Sequence, residues 1–263
     1  MKDILSEIIA HKRKEVAGRK EQLPLSVLEK RIDPAGIPFR SLKSALENSP
    51  SGIIAEFKRR SPGKGWLRRS ADAGEVTKAY ASAGASALSV LTDEKYFGGT
   101  ADDLQQAAAG VEIPVMRKEF IVDEYQLFEA GLSGASAVLL IAAAITREEC
   151  RRFTELAHRL HLEVLLELHD EREVDYIGTL NTVIGVNNRN LGSFATDLQK
   201  SFRMAALLPE EAVWVSESGK SDAVTVRELR EVGYRGFLIG EYFMKSGDPG
   251  QRLKEFIDSI AIR

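Results

Sequence analysis

SAVLLIAAAITREECRRFTELAHRLHLEVLLEL (136–168) sets the reading of the whole chain. It opens with an apolar run, SAVLLI (136–141), and closes with another, LEVLLEL (162–168). Continuous apolar runs of this length suit strands buried on both faces, as in a parallel sheet. Between them, TREECRRFTELAHRLH has helical spacing and begins with Thr146, a residue type that caps helix N-termini. Strand, helix, strand is the repeating unit of a parallel α/β architecture.

The same unit recurs in both directions. GIIAEF (52–57), SALSVL (86–91) and IPVMRK (113–118) precede it, and TVIGVN (182–187), AVWVSE (212–217) and GFLIGE (236–241) follow. Stretches such as ADAGEVTKAYASAG, DEYQLFEAGLSG and SDAVTVRELREVG separate them, several with Asp or Ser at the start and Gly at the end. Eight strands alternating with helices predict a (β/α)8 TIM barrel. Spacing alone also allows an open doubly wound sheet, but no Gly-rich dinucleotide fingerprint follows the first strand. Residues 1–50 hold no such run. Two helical stretches, 3–20 and 40–48, flank PLSVLEKRID and read as an extension packed outside the barrel or capping one end. The expectation is one domain over 1–263, with the barrel at 51–263 and the helical extension at 1–50. Barrels of about 250 residues as one domain are common.

Composition excludes several classes. With 36 basic and 39 acidic residues in 263, the net charge is −3 and no long block of one sign occurs. That argues against nucleic acid as a partner. MKDILSEIIAHKRKEV is amphipathic without an apolar signal core, and no run approaches the roughly 20 apolar residues of a membrane span. The cytoplasm is the default location, and the chain is expected to act as a monomer or weak homo-oligomer. Cys150 is the only cysteine, so no intrachain disulfide can form; it reads as a small semi-buried helix residue. His11, His158, His161 and His169 lack metal-ligand spacing, so no metal is expected. His169 reads as a surface residue of the LHDERE turn.

In such barrels the C-terminal strand ends and the loops after them build the active site. Those positions hold Glu56 and Lys58 at the first strand, Lys118 at the third and Glu167 at the fifth. Asn187 ends the sixth, and Glu217 with Ser218 ends the seventh. Polar groups inside apolar runs are costly without partners. Two lysines and three glutamates in one pocket can push each other's pKa values apart, as acid–base chemistry near neutral pH requires. A second set suits phosphate. Ser218-Gly219 after the seventh strand and Gly240 after the eighth lead toward helical stretches, where backbone N–H groups can meet an anion. The loop SPGKGWL adds Ser61 and Lys64 from the opposite side. Trp66 and Phe97 are candidates for an apolar slot, whereas Trp214 reads as core.

Seven segments in order resemble the indole-3-glycerol-phosphate synthase family: IIAEFKRRSPGKG (53–65), ALSVLTDEKYFGGT (87–100), PVMRKEF (114–120), LLELHDEREVD (165–175), IGVNNRNL (184–191), WVSESG (214–219) and LIGEYFM (238–244). ILSEIIAHKRKEV resembles that family's opening helix. The resemblance implies a phosphorylated sugar substrate, 1-(2-carboxyphenylamino)-1-deoxyribulose 5-phosphate, converted to indole-3-glycerol phosphate, CO2 and water without a cofactor. It also implies roles. Lys118 would be the general acid of ring closure, and Lys58 would hold the substrate carboxylate. Glu167 would move a proton in dehydration, and Glu56 would orient the lysines or carry a second proton. Asn187, Arg189, Glu217 and Ser218 would position substrate, while Ser61, Gly219, Gly240 and the backbone of Glu241 would bind phosphate. Three positions depart from the family's usual pattern: Gly63 for a Ser, Lys220 for an aliphatic residue, and Asn190 for an Asp. Lys220 would either strengthen anion binding or point to solvent.

Two other classes of reading stay open on the residues alone: another phosphate-binding barrel enzyme, either an isomerase or an aldolase, and a barrel that binds without turnover. A sugar-phosphate isomerase of related fold would want a Cys–Asp pair at strand ends, and Cys150 is misplaced for it. A Schiff-base aldolase would use a neutral lysine. A barrel that only binds a phosphorylated metabolite has little use for acids and lysines at five strand ends.

Overall fold

In a computed structural model of the chain, residues 4–36, 39–190 and 195–261 are described. Met1, Lys2, Asp3 and Leu191, which belong to stretches singled out above, lie outside them. Eight strands form a closed, all-parallel barrel: β1 (Ile53–Phe57), β2 (Ala87–Leu91), β3 (Val115–Lys118), β4 (Ala137–Ile141), β5 (Glu163–Leu168), β6 (Val183–Asn187), β7 (Val213–Glu217) and β8 (Gly236–Ile239). Each falls within one of the apolar runs. The open sheet is excluded, because β1 pairs with both β2 and β8.

The helices follow the local signals. Ahead of the barrel come α1 (Ile4–Gln22), α2 (Leu25–Arg31) and α3 (Leu42–Glu47). Between the strands lie α4 (Ala73–Ser82), α5 (Glu94–Phe97), α6 (Ala101–Gly110), α7 (Tyr125–Leu132), α8 (Arg147–Arg159), α9 (Gln199–Ala205) and α10 (Ala223–Glu231). After β8 come α11 (Glu241–Met244) and α12 (Pro249–Ala261). Thr146 with Glu149, and Thr100 with Asp103, form capping boxes that fix where α8 and α6 begin. The buried residues divide into two clusters. One joins outward-facing strand residues such as Leu88, Val138 and Leu166 to the helices, and the other fills the barrel interior.

Side chains alternate along a strand, so one parity points inward. On β7 the inward set is Val213, Val215 and Glu217; on β5 it includes Leu165 and Glu167; on β3 it is Met116 and Lys118. Pairing of Asn187 with Glu217, Ile141 with Glu167 and Leu91 with Lys118 brings the polar end of each strand to a common height. The apolar members fill the barrel below them.

Of the two placements expected for the N-terminal extension, capping is the one observed, and it occurs at both ends of the barrel. Leu42 and Leu46 of α3 are fully buried and join the interior cluster beside Val183, Val213 and Val215. At the start of β5, Glu163 accepts bonds from Ser41 Oγ (2.7 Å) and Lys43 N (2.9 Å), which fixes α3 under the N-terminal end of the barrel. At the other end, Leu5 and Ile8 of α1 join the same cluster beside Phe120, Leu139 and Ile141. The extension closes the bottom and roofs part of the mouth. Lys12 anchors that roof: its side chain is 0% exposed and lies 2.9 Å from Asp93 and 3.2 Å from Glu119, just past β2 and β3. Burial opposes its charge, but Glu119 and Asp93 outweigh that and raise its pKa. Lys12→Met strands two buried carboxylates, a change that typically costs about 3–5 kcal/mol. The urea midpoint should drop accordingly; a loss under about 1 kcal/mol, typical of an exposed pair, would show that α1 is not anchored there.

Candidate active site

The inward polar residues meet at the C-terminal mouth of the barrel. One cleft is lined by Glu56, Lys58, Ser61, Lys118, Glu167, Asn187, Arg189, Glu217, Ser218, Gly219, Gly240 and Glu241. Twelve of the residues singled out in the sequence therefore face one space, whereas Lys64 does not line it. Lys118 lies at its centre, with Nζ 2.9 Å from Glu217 Oε2 and 3.2 Å from Glu167 Oε2. Lys58 Nζ donates to Glu56 Oε1 at 2.5 Å. Asn187 Nδ2 donates to Glu167 Oε1 at 3.1 Å, while its Oδ1 accepts from Arg189 N at 3.0 Å.

These groups hold one another in different charge states. Burial works against the charge on Lys118, yet Glu217, Glu167 and Glu56 together raise its pKa. It stays an ammonium at neutral pH, unlike the neutral lysine an aldolase needs. Burial alone would lift Glu167, but Lys118, His169 and Asn187 reverse the sign and hold it well below the usual carboxylate range. Glu217 goes the other way, raised by burial and by the charge of Glu167. Two carboxylates against one ammonium cannot both ionise freely, so the pair separates into a base and a proton carrier. Glu56, opposed by burial but facing Lys58 and Lys118, is lowered.

The cleft has two unlike ends. Leu91, Phe97, Phe120, Leu139 and Ile141 line it on the β2–β4 side, under Ile4, Leu5 and Ile8 of α1. On the β7–β8 side the lining is Ser218, Gly219, Gly240 and Glu241. Ser218 and Gly219 both have positive φ (62° and 82°), and a Cβ on Gly219 would lie 2.5 Å from Thr196 Cγ2. A Cβ on Gly240 would run into the Glu56 side chain, so bare backbone faces the cleft there. Ser61 Oγ is buried and has no hydrogen-bond partner among the described residues. Arg189 lies 3.4 Å and Lys64 3.8 Å from the carboxylate of Glu241, which links the loops after β6, β1 and β8. Arg59 pins the base of the β1 loop through a two-pronged pair with Asp103 (2.6 and 2.7 Å).

Several expectations need correction. His169 is not a surface residue: its side chain is 11% exposed and Nε2 lies 3.0 Å from Glu167 Oε1, off the line of a good hydrogen bond. Burial would lower its pKa, but Glu167, Glu173 and Glu217 raise it. Lys220 does not point to solvent; it is buried at 3% exposure. Trp66 stays 47% exposed beside Arg60 and Arg69 and does not line the cleft, whereas Phe97 does. Trp214 lies half-buried on the outer face against Tyr234. Gly219 does not open α10 directly, since Asp222 caps that helix through Thr225 N. Sequence reasoning also missed Gly185, the empty inward position of β6. An added Cβ would collide with Glu217 Oε1 and Leu165 Cδ2, so its absence makes the space Glu217 fills. A lone Gly within an apolar strand was the available signal. Among the described residues no group of three or more His, Cys, Asp or Glu could hold a metal, and no helix is long and apolar enough to cross a membrane.

His169 gives a pH-dependent test. A raised histidine pKa adds stability that is complete below the ordinary value of 6.5 and is lost as pH rises through the folded-state value. His169→Asn should therefore destabilise the protein most at about pH 6, with the difference from wild type shrinking toward about pH 9. A difference that is flat with pH would remove the ion pair with Glu167.

A parallel barrel whose mouth gathers lysines and carboxylates between an apolar wall and a glycine-lined end is the layout of a barrel enzyme acting on a small anionic molecule. A family model described as indole-3-glycerol phosphate synthase matches residues 5–256, and the chain belongs to that family. The indole-3-glycerol phosphate synthase of Bacteroides thetaiotaomicron is 55% identical over 262 residues, covering 99% of this chain and 100% of that one. The enzymes of the same name from Neisseria gonorrhoeae and Burkholderia multivorans are 43% and 40% identical, over 95% and 96% of this chain and 97% and 98% of theirs. Among solved structures, the tryptophan synthase alpha subunit of Legionella pneumophila superposes with a TM-score of 0.59 at 14% identity, over 83% of this chain and 96% of that one. That likeness concerns the barrel alone. The reaction is ring closure, decarboxylation and dehydration of 1-(2-carboxyphenylamino)-1-deoxyribulose 5-phosphate to indole-3-glycerol phosphate, a carboxy-lyase step of tryptophan biosynthesis.

Proposed function

We propose that the charges at the barrel mouth divide this reaction between them, with Lys118 as the general acid of ring closure. One observation carries the reading: the Lys118 ammonium lies between two carboxylates in a cleft with one apolar and one glycine-lined end. The aryl ring lies against Phe97, Phe120, Leu139 and Ile141, and the phosphate lies at Gly219, Gly240 and the backbone of Glu241, with Ser61 across from them. Between these ends the ketone oxygen meets Lys118. As the carboxylate-bearing ring carbon attacks the ketone carbon, Lys118 gives its proton to the oxygen, and CO2 departs to restore the aromatic ring. Loss of the new hydroxyl as water then needs a proton taken from carbon and one given to oxygen. Glu167, held ionised, serves as the base, and Glu217, held protonated, can return the proton lost by Lys118.

Lys58 holds the substrate carboxylate until it leaves and adds a second cation. Glu56 keeps Lys58 and Lys118 in place. Asn187 orients Glu167, and Arg189 and Ser218 position the sugar phosphate chain. No metal or cofactor is assigned a step. We read the protein as a cytoplasmic enzyme that works as a monomer or weak homo-oligomer, without a nucleic-acid partner. Lys58→Met tests the carboxylate assignment. It should lower kcat/KM by about 10²-fold or more, with part of the loss in KM. Unchanged KM for substrate would move Lys58 away from the carboxylate.

A further inference from the structure

Lys12, Lys58, Lys118 and Lys220 are the lysines drawn deepest into the protein, and three of them have a carboxylate within about 3 Å. Lys220 is the exception. Its Nζ donates to Ser218 O at 3.1 Å and Ser216 Oγ at 3.3 Å, and among the described residues no carboxylate lies within ion-pair reach. A buried charge without a counter-charge is costly, and proteins keep one where something else supplies it. Lys220 lines the same cleft as Ser218, Gly219 and Gly240. The carbonyl it holds belongs to the positive-φ pair Ser218-Gly219. Across the cleft, the buried Ser61 hydroxyl lacks a hydrogen-bond partner among the described residues. The lining of the glycine-lined end thus includes a buried lysine without a counter-charge and a buried hydroxyl without a hydrogen-bond partner among the described residues.

We propose that Lys220 is the counter-charge of the phosphate site, uncompensated in the free enzyme and neutralised by the substrate's phosphate. This rests on the assignment of the β7–β8 end to phosphate. Burial pulls Lys220 down to about 7, opposed only by Glu217 at the end of β7, and only when that carboxyl is ionised. The other groups around it are neutral: Ser216 and Ser218 at the end of β7, then Asn188 after β6 and Ser201 of α9, which share its acceptors. Near neutral pH the free enzyme holds a mixture of amine and ammonium. A dianionic phosphate draws it to the ammonium, so binding takes up a proton from solution.

A purely structural role is the rival, and the hydrogen bonds separate the two. Asn188 Nδ2 already donates to Ser218 O (3.3 Å) and Ser216 Oγ (3.1 Å), and Ser201 Oγ bonds Ser216 Oγ at 2.9 Å. Lys220→Met therefore leaves no acceptor bare and removes only the charge. A lysine pKa lowered by folding costs stability wherever the unfolded lysine is charged, a cost that is full below about 7 and fades toward 10.5. The variant should melt higher than wild type at neutral pH.

The test is calorimetric titration of indole-3-glycerol phosphate at about pH 8, where a phosphate monoester is dianionic. Buffers of different ionisation enthalpy count the protons. Wild type should take up more protons than Lys220→Met, by a fraction approaching one. The variant should bind the product about tenfold or more weakly, the scale of a lost charge-assisted contact, and bind dephosphorylated product as wild type does. Equal affinity and equal proton uptake in the two proteins would overturn the proposal. So would equal weakening toward both ligands, which marks a structural tie. If wild type itself does not distinguish the two ligands, the phosphate-end assignment fails and the proposal falls with it. Lys220→Ile gives the same comparison should Met pack poorly.

Discussion

Lys118→Met should lower kcat by about 10² to 10⁴ while substrate KM changes far less. Met keeps most of the volume and removes the proton. The phosphate and carboxylate ends retain their own ligands, so ground-state binding survives. The substitution also leaves Glu167 and Glu217 buried together without their shared ammonium, and some stability will be lost. That loss would confuse the result if taken alone. A second change separates the effects. Lys118→Arg keeps a cation between the two carboxylates, but a guanidinium gives up its proton far less readily, and stability should be retained. If Lys118 only holds the pocket together, activity should be retained too. If it is the acid, activity stays low. A folded Lys118→Met enzyme with more than about a tenth of wild-type kcat would remove Lys118 from the chemistry.

Glu167→Gln should also cost about 10² to 10⁴ in kcat, because Gln keeps the shape but cannot take up a proton. Its stability effect has a definite sign. A carboxylate lowered by folding adds stability above its ordinary value of 4.5, and that stability is lost as pH falls through the folded-state value. Glu167→Gln should therefore be less stable than wild type at neutral pH, with the difference closing on acidification. Thermal unfolding of both proteins from about pH 7 down to about pH 2 reads this directly, with the closing confined to the range below about 4.5. A constant difference would mean that Glu167 is not held ionised by Lys118 and its neighbours.

The barrel was legible because each strand is a continuous apolar run and each helix carries its own start signal. The central charges were legible because a Lys or Glu closing an apolar run, such as Lys118 or Glu167, has few cheap reasons to be there. What escaped reading depends on contacts distant in sequence. His169 follows Leu168 into a polar turn, and nothing local shows that the turn folds back on Glu167. Lys220 lies in a Gly–Ser loop that would normally expose it; only the packing of Asn188 and Ser201 against β7 buries it. The extension could be read either as lying outside the barrel or as capping one end, because its apolar residues resemble those of any surface helix. Leu46 finds its place under the barrel only because Gly236 leaves room beside Val215. The four residues of RKEF show the limit best. Lys118 faces the cleft, whereas Arg117 faces outward to Thr92, Gln126 and Glu129, and Glu119 turns to Lys12 and Thr92. One motif serves three sites.

The most direct test of the division of labour times CO2 release against indole formation in a single turnover. Substrate labelled in its carboxylate and mixed with excess enzyme reports the first event by released label, and the second by indole fluorescence. Lys118 acts before CO2 leaves and Glu167 after it. In Lys118→Met both signals should slow together, whereas in Glu167→Gln one equivalent of CO2 should appear well ahead of the indole signal. Release of CO2 at the wild-type rate from Lys118→Met would contradict the account.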